Sequence, residues 1–499
     1  MSNGLQKVSV KERMLYGCGD LASCLFWMTV MTQLLFFYTE VFGLSAFAAG
    51  IMFFVSRVLD AIFDVVIGMT ADRTKSRWGK FRPYILFGAV PLAVMAVLSF
   101  TTPDFAYWGK VVYAYLTFIL FMFLYSTVNI PYTALLGVMT ADPVERTSAS
   151  SFKFVGAYLG GIVVSMTVLP FAAHFGHASP QKGWQITMGI YAIAAVVLFV
   201  ITFLATRERI QPIAKETTSV GRDLGDIVQN IPWIFLFIVT ILFILFVCIR
   251  MSVTTHYFKY YVAEQESPIL AQVLNFLLQY IVNPIYGIGG KPAITLFEPG
   301  HKFGWETLTS AFNTIGQALS LIGVLLVPFF AKLVGRKSAT IILFIAALIC
   351  TGAFYLFKPT DLMWIFVFQT VGSLVGGPIS ALLWVLYADT ADYSEWKTGR
   401  RATGLVFSAS IMSNKLGWAV GSMIAGFVLA ATGYVANQVQ NLDVQNGIKA
   451  MMSIIPVGIG LVALVILMFF YKLDDKTMAK VKTELEERRK VSGQNAATA

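Results

Sequence analysis

The chain has 499 residues, 57% of them hydrophobic and only 13% charged, and a formal net charge of +10. A soluble fold cannot hide that much apolar surface, whereas a membrane bundle has no need to. The basic surplus gathers in the segments between apolar runs, which excludes nucleic acid as its partner and makes it a signal of topology.

Apolar runs cover roughly residues 14–41, 46–71, 84–102, 108–139, 152–174, 186–205, 231–258, 307–331, 338–357, 362–388, 403–432 and 448–471. Each is long enough for a hydrocarbon core about 30 Å thick, which needs ~20 helical residues. The fold class expected is an all-α integral membrane protein of twelve transmembrane helices. With both termini cytoplasmic, the outer loops hold seven cations: Lys110, Lys182, Lys259, Lys291, Lys302, Lys358 and Lys449. Arg57, Arg250 and Lys415 fall in or at the spans, which leaves 27 of the 37 Lys and Arg inside. The positive-inside rule fixes the orientation from that asymmetry. The first run is too long for a signal-peptide core, so it is expected to be retained. Cys18, Cys24, Cys248 and Cys350 lie in apolar runs without metal-ligand spacing and read as packing residues.

The first run opens with Asp20, which serves either a site or an ion pair with a loop arginine. In the second, Arg57, Asp60 and Asp64 recur at spacings of three and four and share one helix face. Charge inside a membrane marks an ion or substrate path by default. A salt bridge holding the helix in place accounts for one aspartate and leaves the other unexplained. Two carboxylates one turn apart repel each other; one bound cation relieves that repulsion, and Arg57 balances the remainder. Between runs two and three, residues 72–83 form a basic loop, with Pro83 setting the next helix start.

The fourth run carries Tyr125 and Asn129 on one face, beside Pro131, whose missing N–H kinks a helix. Asn129 then lines a cavity or bonds a neighbouring helix. Residues 142–148 read as a loop leading into the fifth run, where Gly156, Gly160 and Gly161 allow close helix contact. Polar residues 206–230 divide the chain into six-helix halves, 1–205 and 231–472, with a charged tail at 473–499. The sequences after runs two and eight, and after four and ten, echo each other, as expected of two parallel halves in a transporter. Residues 259–306 form a long outer segment, with an amphipathic stretch from Ile269 to Val282. Trp384 offers a ring to stack on a sugar, or an interfacial anchor. Lys415 is a lone intramembrane ammonium that needs a partner.

Arg57-x-x-Asp60-Ala-x-x-Asp64, Ser76-Arg77-Trp78-Gly79-Lys80-Phe81-Arg82-Pro83, Asn129-Ile130-Pro131, Asp392-Tyr393-x-Glu395-Trp396-Lys397 and Lys415 together resemble the glycoside-pentoside-hexuronide:cation symporters. That group of the major facilitator superfamily contains the bacterial melibiose permeases, and the likeness covers nearly the whole chain outside 259–306. It implies secondary transport of a sugar or glycoside with H⁺, Na⁺ or Li⁺, no cofactor and no enzymatic chemistry. It also implies a bacterial inner-membrane location in the lipid bilayer, and a monomer is expected. By the resemblance Asp60, Asp64 and Ser126 hold the cation. Sugar contacts fall to Ser23, Cys24, Asn129, Thr133, Lys153, Trp384 and Lys415, beside Asp20 and Tyr125. Ser23 and Cys24, Asn129 and Thr133 depart from the melibiose pattern, which puts α-galactoside recognition in doubt. Phe63 replaces an amide between the two carboxylates, which favours H⁺ over Na⁺. Loops 72–82 and 392–401 would latch the cytoplasmic side in one state through charge pairs among Asp72, Arg73, Arg77, Lys80, Arg146, Asp392, Glu395 and Arg400. The alternatives are a transporter of the same fold for a lipid or organic acid, and a sugar sensor that does not transport.

Overall fold

The computed structural model describes residues 8–140, 142–209, 230–266, 302–398, 403–481 and 483–485, with the single residues 272 and 487. Most of the divider 206–230 and of the outer segment 259–306, including Ile269–Val282, lies outside the described residues, as does Arg400. The side chain of Asp72 does too.

Helices run in the expected order. The first half contains α1 (Val10–Phe36), α2 (Ala46–Arg73), α3 (Arg82–Ser99), α4 (Tyr107–Met139), α5 (Pro143–Phe175) and α6 (Pro180–Ala205). The second contains α7 (Ile231–Tyr257), α8 (Trp305–Val334), α9 (Arg336–Ala353), α10 (Leu362–Thr398) and α11 (Thr403–Ala431). It ends with α12 (Leu442–Met452) and α13 (Ile454–Val465), which break at Ser453 but form one span. Among the described residues, eleven spans are long and apolar enough to cross a membrane. With α2, whose 28 residues carry the intramembrane charges, they make twelve.

Two stretches expected as loops are helical. Residues 143–148 form the first turns of α5, where the Arg146 N–H donates to the Asp142 carbonyl at 3.0 Å. Asp392 and Glu395 lie on the end of α10. Apolar runs mark what lies in hydrocarbon, but a helix continues into water wherever its polar residues keep the backbone ladder. The start of α3 is set by Pro83 in its first turn, as expected, and by Glu208. That carboxylate accepts the N–H groups of Lys80, Phe81 and Arg82 at 2.7, 2.7 and 3.0 Å, capping donors that no helix turn can satisfy.

The first helix of each half ends alike. α1 widens into a π-helical turn at Phe37–Phe42 and stops at Gly43 with φ +87°. α7 does the same at Phe258–Val262, stopping at Ala263 with φ +59°. Beyond α7, a short antiparallel pair, β1 (Gln265–Glu266) and β2 (Lys302–Phe303), closes the base of the outer segment.

Within the first half α1 packs along α5 and α6, α3 along α4 and α6, and α2 along α4; within the second, α8 and α9 pack on α10, and α7 on α13. The halves meet through α2 with α11, α5 with α8, and α1 with α7. At the end assigned outside, one hydrophobic core runs through both halves, joining Phe36, Phe37 and Phe42 to Tyr257, Phe258, Phe312 and Phe354. A second core around Trp233, Phe243, Leu383, Tyr387 and Tyr471 belongs to the second half alone.

Glycines bring α1 and α5 together as expected. A Cβ on Gly156 would strike the Gly17 carbonyl, and one on Gly160 would lie 2.7 Å from the Cys24 Cβ. Gly156→Leu is therefore expected to destabilise the protein by about 1–3 kcal/mol through overpacking. A lowered melting temperature of the detergent-solubilised protein checks this, with Gly68→Leu, which borders open space, as the unaffected control.

Candidate functional site

Midway along α2 the spacing of Arg57, Asp60 and Asp64 puts all three toward α4 and α11. The Ser126 hydroxyl on α4 sits between the two carboxylates, 2.7 Å from Asp60 Oδ1 and 2.8 Å from Asp64 Oδ1. On their other side is the Lys415 ammonium from α11. It donates to Asp60 Oδ2 at 2.8 Å and pairs with Asp64 Oδ2. Arg57 Nη1 is 4.0 Å from Asp60 Oδ2, its guanidinium lies over the Trp27 ring at 4.5 Å, and Nη2 meets the Met31 sulfur at 3.4 Å. The cluster thus holds two carboxylates, two cations and one hydroxyl. Its two acids differ in access: the Asp60 side chain is 3% exposed, that of Asp64 27%. Phe63 points away to pack edge-on against Phe123, so it supplies no oxygen.

The sequence reading assigned Lys415 to the sugar; in this state its charge is taken up by the carboxylates of the other half. The remaining first-half candidates gather one layer away. Lys153 on α5 donates to the Thr133 hydroxyl at 3.2 Å, and Thr133 donates to Asn129 Oδ1 at 3.3 Å. Asp20 on α1 is close enough to interact with Lys153, and Tyr125 stacks on Trp27 at 5.4 Å. Ser23 is buried with its hydroxyl donated to the Gly19 carbonyl, while Cys24 packs against α5. Trp384 on α10 lies beside Tyr387, 5.8 Å between ring centres, and is 37% exposed.

A cavity of about 260 Å³ lies between the halves. Thr32, Tyr158 and Ser165 line it from the first half, but most of its wall is α7, α8 and α10 of the second, including Arg250, Gln317 and Gln369. None of the residues given a site role in the sequence lines it; Arg250 was counted there only as a cation in or at a span. Arg250 could have been found by the reasoning applied to Asp60, since it too is an ion inside an apolar run.

At the outer end the halves are tied by a second ionic cluster. Glu40, its side chain 1% exposed, accepts from Lys259 Nζ at 2.6 Å, from the Tyr260 hydroxyl at 2.5 Å, and from the Tyr434 hydroxyl. The Asn437 N–H donates to the same carboxylate at 3.2 Å, and the Asn437 amide to the Glu40 carbonyl at 2.7 Å. Thr255 donates to Gln33 at 3.0 Å, and Thr39 and His256 meet at 3.1 Å, extending the contact along α1 and α7.

Three of the inner-end candidates have described partners within the first half. Arg146 donates to the Thr140 carbonyl at 3.0 Å, Arg77 stacks on Trp78, and the Lys80 ammonium faces Phe81. Arg73 ends α2, exposed to solvent. In the second half Arg336 pairs with Asp389 at 2.5 Å and Asp475 at 3.2 Å.

A family model described as MFS/sugar transport protein matches residues 15–297 and 302–475. The inner membrane symporter YicJ of Escherichia coli is 35% identical over 481 residues, covering 96% of this chain and 95% of its own. The isoprimeverose transporter of Lactiplantibacillus pentosus is 34% identical over 484 residues, with 96% and 91% covered. Among solved structures, the nucleoside transporter NupG superimposes with a TM-score of 0.61 at 14% identity, over 93% of this chain and 99% of its own, a likeness of fold alone.

Removing the Lys415 charge leaves two adjacent carboxylates without their closest cation. Lys415→Met is expected to destabilise by about 3–5 kcal/mol, as for a broken buried ion pair. Adding Asp64→Asn is expected to restore part of that loss, and a double-mutant cycle on thermal unfolding measures the coupling.

Proposed function

We propose a mechanism for a chain that belongs to the MFS/sugar transport protein family, among its glycoside–cation symporters. It is a membrane transporter rather than an enzyme, and it couples a sugar or glycoside to a cation. The coupling ion binds at Asp60, Asp64 and Ser126. The observation that carries this is the position of Lys415: a tethered cation from the second half already bridges both carboxylates of the first. An arriving cation competes with that ammonium, so ion binding and a contact between the halves exclude each other. Such exclusion links occupancy to conformation, which is what coupling requires.

The ion is H⁺ in preference to Na⁺. Na⁺ takes several hard oxygens, whereas this cluster offers two carboxylates and one hydroxyl, already engaged, beside the Phe63 ring. A proton needs one carboxylate oxygen, and Asp64, the more exposed acid, receives it. Protonating Asp64 removes one of the two carboxylates that hold Lys415 and leaves it the bond to Asp60 alone, which loosens α11 against α2.

The sugar binds between the halves, with its hydroxyls on Asn129, Thr133, Lys153 and Asp20 beside Tyr125 and Cys24. Trp384 and Lys415 approach from the second half. The isoprimeverose relative supports a sugar over a lipid or organic acid. Both termini face the cytoplasm of a bacterial inner membrane, the carrier acts as a monomer, and Glu40 closes the outer end. In the opposite state, the basic stretch after α2 would pair with the acidic end of α10 at the inner end.

Uptake into proteoliposomes with pH and Na⁺ gradients imposed separately tests the ion. Accumulation is expected to follow the pH gradient and to ignore Na⁺; a strict Na⁺ requirement would overturn the assignment. Asp64→Asn is expected to abolish uphill accumulation at least ~100-fold while sparing exchange down a gradient. At the outer end, Glu40→Gln leaves Lys259 without its counter-ion and costs the closed state about 3–5 kcal/mol, enough to shift the closed population by ~100-fold or more. Labelling of Thr32→Cys by a membrane-impermeant maleimide added outside is expected to speed up accordingly.

A further inference from the structure

Arg250 stands apart from the other charges of the bundle. It lies on α7, nine residues before Lys259, so roughly 14 Å below the outer cluster at 1.5 Å per residue. Its guanidinium has five N–H donors and meets only neutral acceptors. Nη1 donates to Thr351 Oγ1 at 3.2 Å and Nη2 to Gln369 Oε1 at 3.4 Å, both long contacts, with the Phe354 ring at 5.0 Å. Nε is buried without a hydrogen-bond partner. Among the described residues no carboxylate lies within ion-pair distance of it, whereas Asp60, Asp64, Glu12, Glu40 and Asp389 all have cations.

A guanidinium withdrawn from water without a counter-ion is unfavourable, so its retention needs a reason. The surroundings supply one, because Arg250 lines the cavity between the halves. The α10 wall there is bare: a Cβ on Gly376 would meet nothing within 4 Å, and Gly316 of α8 leaves room for the Gln369 amide. The lining residues include Asn313, Gln317, Gln369 and Ser380, which suit hydroxyls, but no Asp or Glu. A cavity built this way offers neutral hydrogen-bond partners around one uncompensated cation. Arginine's planar fork matches a carboxylate in bidentate geometry.

We propose that Arg250 binds the anionic group of the transported substrate, which makes this carrier selective for sugars bearing a carboxylate. This rests on the reading of the chain as a sugar symporter and narrows its substrate class. The acidic group docks on Arg250 in the second half while the ring hydroxyls reach toward the first, so one substrate spans the interface whose opening and closing moves it. The substrate thereby supplies the counter-ion that the protein lacks.

The test uses matched pairs that differ only in a carboxylate against a hydroxymethyl group: glucuronate with glucose, galacturonate with galactose, and the methyl β-glycosides of each. Uptake of every member is measured in proteoliposomes of the full-length protein. In at least one pair the acid is expected to be preferred at least tenfold in kcat/KM. Arg250→Gln is expected to erase that preference while uptake of the neutral partner persists, and Arg250→Lys to keep part of it. If Arg250→Gln yields no folded carrier, Arg250→Lys decides the matter, because its point charge should raise the KM of the acid several-fold more than that of the neutral sugar. Neutral sugars carried as well as their acids, or an equal loss of both in the variants, would overturn the proposal and leave sugar symport standing. Transport of no sugar in the panel would count against both readings.

Discussion

The ammonium of Lys415 and the carboxylates of Asp60 and Asp64 come from opposite halves of the molecule, 355 residues apart in the longer separation. Each group alone would be unfavourable inside a membrane. Together, with the one Ser126 hydroxyl proton placed between the two carboxylates, they form a compact set whose charges offset one another. The position of α11 against α2 is therefore tied to the charge of two aspartates. A purely apolar contact between these helices would be blind to it.

The outer end holds by different physics. Glu40 is bound by four donors from the second half, and around it a single aromatic core passes from one half to the other. Hydrophobic burial supplies much of that closure but is not selective, while the carboxylate with its fixed donors sets the register between α1 and α7. The matching π-turns at the ends of these helices tilt the last turn of each. They deliver Glu40 from one side and Lys259 and Tyr260 from the other to the same point. One end of the interface thus joins a carboxylate to an aromatic core, while the middle adds the ionic cluster to contacts such as Trp27 against Trp418.

Much of this was legible in the chain because intramembrane charge is rare and helical periodicity is strict. Arg57, Asp60 and Asp64 had to share a face, and Lys415 had to find a partner. Which partner was not legible, since pairing across halves depends on tertiary geometry that no local pattern encodes; the sugar was the natural guess and the carboxylates were the outcome. Ser126 was placed by resemblance, not by any property of a lone serine. Glu40 was passed over because it stands at the end of an apolar run, where a carboxylate ordinarily faces water. Its burial follows from the folding back of residues 432–441, which are far away in sequence. The ends of α5 and α10 were misread as loops for a related reason: hydropathy reports the solvent around a helix, not where its hydrogen bonds stop.

Charge accounting links the two sites. Arg57 and Lys415 balance Asp60 and Asp64, so a coupling cation adds one positive charge to a cluster that is otherwise neutral. Arg250 adds another in the same interface without a carboxylate beside it. A carrier that gathers positive charge in its loaded state and must still move its halves through a low-dielectric environment benefits from an anionic passenger, because the passenger removes the net charge before the movement begins. On that view the cation site and the Arg250 cavity need no rigid connection to act together. Each makes the other's occupancy electrostatically less unfavourable, and that mutual effect is itself a coupling free energy between ion and substrate.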